Sequence, residues 1–313
     1  FKIKNMKVLV TYNIPRESFA KLGKEHTITM PEGEYFTTEE LIKLVPDYDV
    51  ILGIFTRTID NAVIEAGKKL KVISNFGVGY NNIDIKFARS KGIAVCNTPK
   101  AVCFPTAEMA MGLMLSAARR ITECDRRIRV EKESMWGVMK NLGFTLEGRT
   151  LGIIGMGNIG KTVAKLAEAF RMNVIYYNRR STVEGYEKVD LDTLLKRSDF
   201  VSIHTPLTDE TRHMIGKREI ELMKPTAILV NTARGAVINE KELAICLQNK
   251  TIAAALDVFE DEPHVTEMLY GLDNVILAPH NATGTIDTRI ATGQEAVDNI
   301  LNFFNGTPTN VVN

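Results

Sequence analysis

Cysteine is scarce in this sequence, and its spacing excludes two kinds of stabilising site. The four cysteines among 313 residues are Cys96, Cys103, Cys124 and Cys246, and none forms a C-x-x-C pair. Structural zinc sites need closely spaced Cys or His ligands, so no metal centre is expected. The cysteines are interpreted as reduced thiols of a cytoplasmic protein rather than as a disulfide framework.

Long apolar runs and long basic runs are missing as well. The absence of an 18-residue apolar stretch argues against a membrane-spanning helix, and no secretory leader is recognisable. The formal net charge is +1, and the arginines between Arg119 and Arg129 are interspersed with acids such as Glu123 and Asp125. We therefore expect neither a nucleic-acid nor a membrane partner, and interpret this cluster as a mixed, solvated or subunit-facing surface.

The length and composition indicate two globular domains. The chain is 45% hydrophobic and 25% charged, which is ordinary for a globular protein, and 313 residues suffice for two cores. Apolar runs alternate with amphipathic segments, which predicts a doubly wound α/β domain with a parallel sheet in each half. Between the halves, an Ala-, Met- and Leu-rich segment predicts one buried helix from about Pro105 to Val130. The predicted first-half strands are KVLVTY, HTITM, DVILGIF, KVISNFG and GIAVCN.

A glycine-rich turn in the second half carries the clearest binding signal. Its three glycines at G-x-G-x-x-G spacing are Gly155, Gly157 and Gly160. They follow a predicted strand, 150–154, and open an amphipathic helix, 159–170, that leads into a strand over 173–177. One glycine makes the turn, one lets the backbone approach a pyrophosphate, and one allows close helix packing. The pattern predicts a dinucleotide site with its phosphates at the helix N-terminus.

The end of the strand over 173–177 bears on which dinucleotide binds. NAD-binding sites usually place an Asp or Glu there, which accepts a hydrogen bond from the ribose 2′-OH. This sequence has Asn178, Arg179 and Arg180 instead. Two guanidiniums favour a 2′-phosphate through charge-assisted hydrogen bonds, so we expect NADP(H) to be preferred over NAD(H).

Titratable and charged residues follow other strands of the same half. Arg234 follows AILVNTA, and His280 follows NVILAP. His204 also ends a strand, but His280 is the stronger candidate for proton exchange in carbonyl reduction. Because ligands bind outside the carboxyl ends of parallel strands, these groups are expected to face one cleft with the nucleotide.

Two further features remain open from the residues alone. An acidic partner for His280 is expected after ALDVF, where Glu260, Asp261 and Glu262 are consecutive. In the first half, the turn around Val78 and Gly79 either cradles a carboxylate with its backbone N–H groups or is simply a tight strand-to-helix connection.

The ordered motifs FGVGYNNID, GMGNIG, SIHTPLT, NTARG, ALDVFEDEP and APH resemble the D-isomer-specific 2-hydroxyacid dehydrogenase family, and within it the glyoxylate and hydroxypyruvate reductases. The resemblance covers essentially the whole chain. It implies a flavodoxin-like substrate domain, residues 1–98 plus 286–313, and a Rossmann NAD(P)-binding domain, residues 99–285. The last helix is therefore expected to return to the first domain.

The resemblance also implies roles for particular residues. It makes Arg234, Glu262 and His280 catalytic, which selects Glu262 from the three acids. The predicted cofactor-binding residues, from the motif and the resemblance together, are Gly155, Gly157, Asn158, Ile159, Gly160, Asn178, Arg179, Arg180, His204, Pro206, Thr211, Thr232, Ala233, Arg234, Asp257 and His280.

The substrate is expected to be a small 2-oxo acid. The resemblance implies that the backbone of Val78 and Gly79 holds its carboxylate, with Arg234 and His280 at the reacting carbon. It further implies that Trp136 reaches from one subunit toward the partner's active site in a homodimer.

The expected activity is NADPH-dependent reduction of a glyoxylate- or hydroxypyruvate-type acid to the D-2-hydroxy acid. A keto sugar acid such as 2-ketogluconate is the alternative substrate. An alternative of another class is a nucleotide-sensing binding protein, which the fold's resemblance to transcriptional co-repressors implies.

Overall fold

The computed structural model describes residues 5–24, 26–133 and 136–313. The chain divides into two compact units, one made of Phe1–Val102 with Thr283–Asn313 and the other of Cys103–Ala282. Sequence reasoning placed this division after residue 98 and before residue 286. No described helix combines the length and the apolar character needed to cross a membrane.

The first unit is built on a sheet of five parallel strands with the order β2-β1-β3-β4-β5. This order is that of the flavodoxin-like doubly wound fold. The strands are β1 (Lys7–Val10), β2 (Thr27–Thr29), β3 (Val50–Ile54), β4 (Val72–Phe76) and β5 (Ala94–Cys96). Its first helices are α1 (Thr38–Leu44), α2 (Asn61–Ala66) and α3 (Ile85–Ser90), with 3-10 turns at Arg16–Phe19 and Val45–Asp47.

Local sequence explains these elements. Every residue of β3 and β4 is buried, as expected for parallel strands covered by helices on both faces. The first helix begins at a capping box, in which Thr37 and Glu40 each accept a hydrogen bond from the other's backbone N–H. Asp60 and Asp84 cap the next two helices by accepting hydrogen bonds from backbone N–H groups through their carboxylates.

The C-terminal helix, Ile286–Phe304, belongs to the first unit. The hydroxyl of Ser74 in β4 donates to the carbonyl of Ala296, at 2.9 Å. The side-chain amide of Asn299 donates to the carbonyl of Asn97, at 2.7 Å. Both polar groups are buried, so these bonds fix the helix against the sheet.

The second unit is built on a sheet of seven parallel strands with the order β12-β11-β10-β9-β6-β7-β8. The strand order reverses between β6 and β9, which is the switch point where ligands bind in open α/β sheets. The strands are β6 (Thr150–Ile154), β7 (Asn173–Tyr177), β8 (Glu187–Lys188), β9 (Phe200–Ile203), β10 (Ile228–Asn231), β11 (Ala253–Leu256) and β12 (Val275–Leu277). The predicted fold class, two doubly wound parallel-sheet domains, is confirmed.

The predicted helix over 105–130 is wrong in its extent. It begins at Cys103 and ends at Ala118, and Arg120 adopts a left-handed φ of 55°. The physical reason is tertiary, because the N–H of Phe144 donates to the Ala118 carbonyl and draws the returning chain against the helix end.

The helices of this unit are α4 (Cys103–Ala118), α5 (Ile121–Arg126), α6 (Asn158–Ala169), α7 (Leu191–Arg197), α8 (Lys217–Glu221) and α9 (Glu240–Gln248), with a π-helix at Arg127–Glu131 and 3-10 turns at Gly235–Val237 and Glu267–Leu269.

Candidate active site

The turn between β6 and α6 has the geometry of a dinucleotide-binding turn. Gly155 has a φ of 98°, and a Cβ added to it would lie 2.7 Å from the backbone of His204. A Cβ on Gly160 would lie 2.2 Å from the carbonyl oxygen of Gly155, so this glycine lets the helix pack on the strand. At Gly157 nothing lies within 4 Å of an added Cβ, which leaves the backbone open to a ligand.

The helix N-terminus faces the same opening. The helix begins at Asn158 with Gly157 as its N-cap, and no side chain caps it. The first backbone N–H groups of a helix, here those of Asn158 and Ile159, have no intrahelical partner and favour an anion. This turn fits a pyrophosphate.

The loop after β7 carries two arginines in different settings. Asn178 is fixed by accepting a hydrogen bond from the N–H of Met156, at 2.7 Å. Arg179 forms an ion pair with Glu210 at 3.2 Å, and both side chains are about half exposed. Arg180 is exposed. An anion bound at this strand end would compete with Glu210 for Arg179.

His204 is held in its neutral form. Burial lowers the pKa of His204 to about 4, so the ring carries no charge at neutral pH. Its Nε2 lies 2.8 Å from the Ser202 hydroxyl, whereas its buried Nδ1 has no hydrogen-bond partner among the described residues. A neutral ring with an open nitrogen suits contact with a ligand rather than proton transfer.

Other residues predicted for the cofactor lie along the same sheet edge. The hydroxyl of Thr211 donates to the carbonyl of Pro206, at 2.7 Å, and closes the loop after β9. After β10, the buried hydroxyl of Thr232 makes no hydrogen bond to any residue that the structure describes. Thr232 Oγ1 and His204 Nδ1 are thus two buried polar atoms at this edge that lack a partner among the described residues.

Arg234 is oriented by the turn that follows β10. The Asn231 side chain accepts from the N–H of Ala233 and donates to the carbonyl of Arg234, each at 3.0 Å. Burial lowers the pKa of Arg234, and the negative charge of Glu262 opposes this shift. The guanidinium stays charged at neutral pH because its ordinary pKa is so high.

Glu262 and His280 form a hydrogen-bonded pair. The Nδ1 of His280 lies 2.7 Å from Oε2 of Glu262, whose other oxygen accepts from the N–H of Phe259 at 3.0 Å. Burial would raise the pKa of Glu262, but these hydrogen bonds and the charges of His280 and Arg234 hold it below its usual value. The carboxylate is therefore ionised and orients the imidazole through Nδ1.

Asp257 fixes the loop that carries His280. Its two carboxylate oxygens accept hydrogen bonds from the N–H groups of Asn281 and Ala282, each at 2.9 Å. The side chain is completely buried, and this burial raises the pKa of Asp257 against the effect of the two hydrogen bonds. His280 itself has a left-handed φ of 51°.

Sequence reasoning missed Glu240, which anchors the loop containing Glu262. Glu240 is only 4% exposed, and its carboxylate accepts hydrogen bonds from the N–H of Glu260 and from both the N–H and the hydroxyl of Thr266. It thus joins the two ends of the 260–266 loop. Glu260 binds His213, whereas Glu262 binds His280. A helix-opening glutamate gives no sequence signal for such a role.

In the first unit, the turn after β4 exposes two backbone donors. The Asn97 and Asn75 side chains donate to the carbonyls of Val78 and Gly79, each at 2.8 Å. The N–H groups of these two residues donate to no other described residue. This geometry suits an anion such as a carboxylate.

Trp136 lies on an exposed apolar stretch of the second unit. Its exposed fraction is 74%, and those of its neighbours Val138 and Met139 are 91% and 78%. Contiguous apolar exposure of this kind is typical of a protein interaction surface.

These features define a two-domain α/β protein with a dinucleotide-binding turn and a histidine–carboxylate pair at one sheet edge. Residues 111–282 match the model of the D-isomer-specific 2-hydroxyacid dehydrogenase NAD-binding domain. Glyoxylate reductase of Thermococcus litoralis is 42% identical over 325 residues, covering 98% of this chain and 96% of its own. The chain belongs to the D-isomer-specific 2-hydroxyacid dehydrogenase family, as the motifs predicted.

Solved structures agree with this assignment. A protein of Thermus thermophilus superposes with a TM-score of 0.92 at 36% identity, covering 98% of this chain and 100% of its own. An NADPH-dependent glyoxylate/hydroxypyruvate reductase of Sinorhizobium meliloti, solved with citrate, gives a TM-score of 0.89 at 28% identity and covers 98% of both chains.

Two glycines of the turn have different predicted roles: Gly160 allows the helix to pack on the strand, whereas Gly157 leaves the backbone open to a ligand. Gly160→Ala should lower the free energy of unfolding by roughly 1 to 3 kcal/mol, because its Cβ would clash with the Gly155 carbonyl. Gly157→Ala is the matched control and should leave stability close to wild type, since its Cβ meets open space. Urea denaturation measures both. Equal losses in the two variants would contradict this account of the turn.

Proposed function

We propose that the protein is an NADPH-dependent reductase that converts a small 2-oxo acid of the glyoxylate or hydroxypyruvate type into a D-2-hydroxy acid. The observation that carries the proposal is the 2.7 Å contact between His280 and Glu262. This pair shares its sheet edge with Arg234 and the glycine turn. The pairing supplies a proton donor where a dinucleotide fits.

The chemistry divides between the cofactor and three side chains. NADPH, when bound, supplies a hydride to C2 of the oxo acid. His280 transfers a proton from Nε2 to the carbonyl oxygen, because its Nδ1 is bonded to Glu262. Glu262 stabilises the imidazolium before transfer. Arg234 binds the substrate carboxylate and the polarised carbonyl, since a guanidinium presents parallel donors and keeps its charge.

The first unit supplies its own donors for a carboxylate in this proposal. The N–H groups of Val78 and Gly79 bind a substrate carboxylate, and the two asparagines that hold the turn's carbonyls keep these donors in place. The names of the relatives in Thermococcus and Sinorhizobium support glyoxylate and hydroxypyruvate as the first compounds to test.

The preference for NADP(H) is supported by Arg179 and Arg180, which stand where a carboxylate would favour NAD(H). Either dinucleotide would contact Asp257 and the two unpartnered atoms, Thr232 Oγ1 and His204 Nδ1. The Sinorhizobium relative described as NADPH-dependent supports the same choice.

We further propose a homodimer in which Trp136 contacts the partner's active site. The exposed stretch around Trp136 supports this assembly, because such apolar area is costly when left in water. A cytoplasmic location is part of the proposal, and the free thiols of all four cysteines support a reducing compartment.

His280→Ala should lower the turnover of glyoxylate reduction by about 10² to 10⁴-fold, because it removes the general acid. NADPH should still bind, as measured by quenching of its fluorescence, since the glycine turn is untouched. His264→Ala is the matched control, because His264 is exposed on the nearby loop. Near-wild-type turnover in His280→Ala would overturn the assignment.

Arg180→Ala and Arg179→Ala should each shift the ratio of the NADPH and NADH Michaelis constants toward NADH. Loss of one charge-assisted hydrogen bond corresponds to about tenfold. The larger effect is expected for Arg180, since Glu210 already competes for Arg179. Arg171→Ala, which breaks an exposed ion pair with Glu147, is the control. An unchanged ratio in both variants would contradict the predicted preference.

A further inference from the structure

Two arginines in the first unit lie close to one phenol. Tyr12 follows β1 and Arg57 follows β3, so both stand at the carboxyl edge of neighbouring strands. Arg289 lies in the first turn of the C-terminal helix. The pKa of Tyr12 is raised, chiefly by its hydrogen bond to Glu34, and the charges of both arginines oppose this shift.

Aromatic rings orient both guanidiniums. The Arg57 guanidinium carbon lies 3.2 Å from the centre of the Tyr35 ring, which in turn stacks with Tyr12. Arg289 lies over Phe55, 5.9 Å from that ring's centre, and donates to the Thr283 hydroxyl at 3.0 Å. Stacked guanidiniums present their edges, and thus their N–H donors, in fixed directions.

Neither arginine is neutralised by an ion pair. In the described ranges, no carboxylate forms a salt bridge with Arg57 or Arg289. The nearest acid in the cluster is Glu34, whose carboxylate accepts the hydrogen bond of the Tyr12 hydroxyl. Burial lowers the pKa of Arg289, and the negative form of Tyr12 would oppose this shift. Two cations against one anion give the cluster a net positive charge.

The cluster adjoins the turn proposed to hold the substrate carboxylate. A Cβ added to Gly77 would lie 3.0 Å from the Cβ of Phe55, so the turn packs directly on the residue beneath Arg289. The Asn82 side chain donates to the carbonyls of Ile54 and Arg57, each at 3.1 Å. The turn that carries Val78 and Gly79 therefore packs against the 54–57 segment that carries Arg57.

We propose that Arg57, Arg289 and Tyr12 form a second anion-binding subsite, and that it binds a carboxylate or phosphate at the end of the substrate remote from C1. The preferred substrates are then dianionic 2-oxo acids rather than glyoxylate itself. The inference about substrates rests on the proposed function, whereas the anion site can be tested without turnover.

The kinetic test compares substrates that differ only in the distal group. 2-Oxosuccinate carries a carboxylate where 2-oxobutanoate carries a methyl group, and 3-phosphohydroxypyruvate carries a phosphate that hydroxypyruvate lacks. The wild type should favour the charged member of at least one pair by about tenfold or more in kcat/KM. Comparison of the two pairs shows whether the subsite binds a carboxylate or a phosphate.

Variants expected to change the charged-to-neutral ratio in opposite directions distinguish anion binding from damage to the fold. Arg57→Gln and Arg289→Gln should lower the charged-to-neutral ratio about tenfold, because each removes a charge-assisted donor. Glu34→Gln should raise the ratio, since it removes the cluster's one negative charge, and damage to the fold does not predict a gain. Arg89→Gln, at an exposed position in α3, should leave the ratio unchanged.

A binding measurement distinguishes failure of the proposed function from failure of the anion site. Calorimetric titration with succinate and with butanoate should show tighter binding of succinate, and Arg57→Gln should abolish the difference. If no 2-oxo acid is reduced but this difference holds, the proposed function fails and the anion site stands. Equal binding of the two acids together with no preference for the charged member of the phosphate pair would overturn the anion site, and so would a charged-to-neutral kinetic ratio that Arg57→Gln and Arg289→Gln leave unchanged.

Discussion

The buried carboxylate of Asp257 is the constraint on which the candidate active site depends. Its oxygens bind two consecutive backbone N–H groups, those of Asn281 and Ala282. These bonds connect the end of β11 to the loop after β12 and hold His280 in a left-handed conformation that few non-glycine residues adopt. Without them, a position of this kind would relax to an ordinary backbone conformation, and the imidazole would lose its direction toward Glu262.

The remaining groups are fixed in the same manner, by side chains that bind backbone. Asn231 shapes the turn of Arg234, and Glu240 joins both ends of the loop carrying Glu262. Each of the three proposed reacting groups thus follows a strand of one parallel sheet and has a polar anchor behind it. Such pre-organisation lowers the cost of positioning charges at the moment of reaction.

Sequence reasoning succeeded where the signal is local. The glycine spacing, the buried strands and the fold class depend on neighbouring residues, and β6 and β7 have the predicted bounds, Thr150–Ile154 and Asn173–Tyr177. It failed where distant segments decide the outcome. The end of helix α4 before Arg120 depends on the contact with the returning chain at Phe144, and no local sequence pattern predicts that contact.

The same division applies to the site residues. Arg234 and His280 could be chosen because charged residues after parallel strands share an edge, but selecting Glu262 required the family resemblance. The ion pair of Arg179 with Glu210, the anchor Glu240 and the cluster around Tyr12 join residues far apart in the chain. Because only folding brings these residues together, composition and spacing do not predict their contacts.

The central claim is that this sheet edge directs a hydride to one face of a 2-oxo acid. The most direct test is to reduce hydroxypyruvate with NADPH deuterated at the transferring position, in ordinary water, and to determine the isotope content and configuration of the glycerate. The account predicts D-glycerate with deuterium at C2. L-Glycerate, or a product without deuterium at C2, would contradict it.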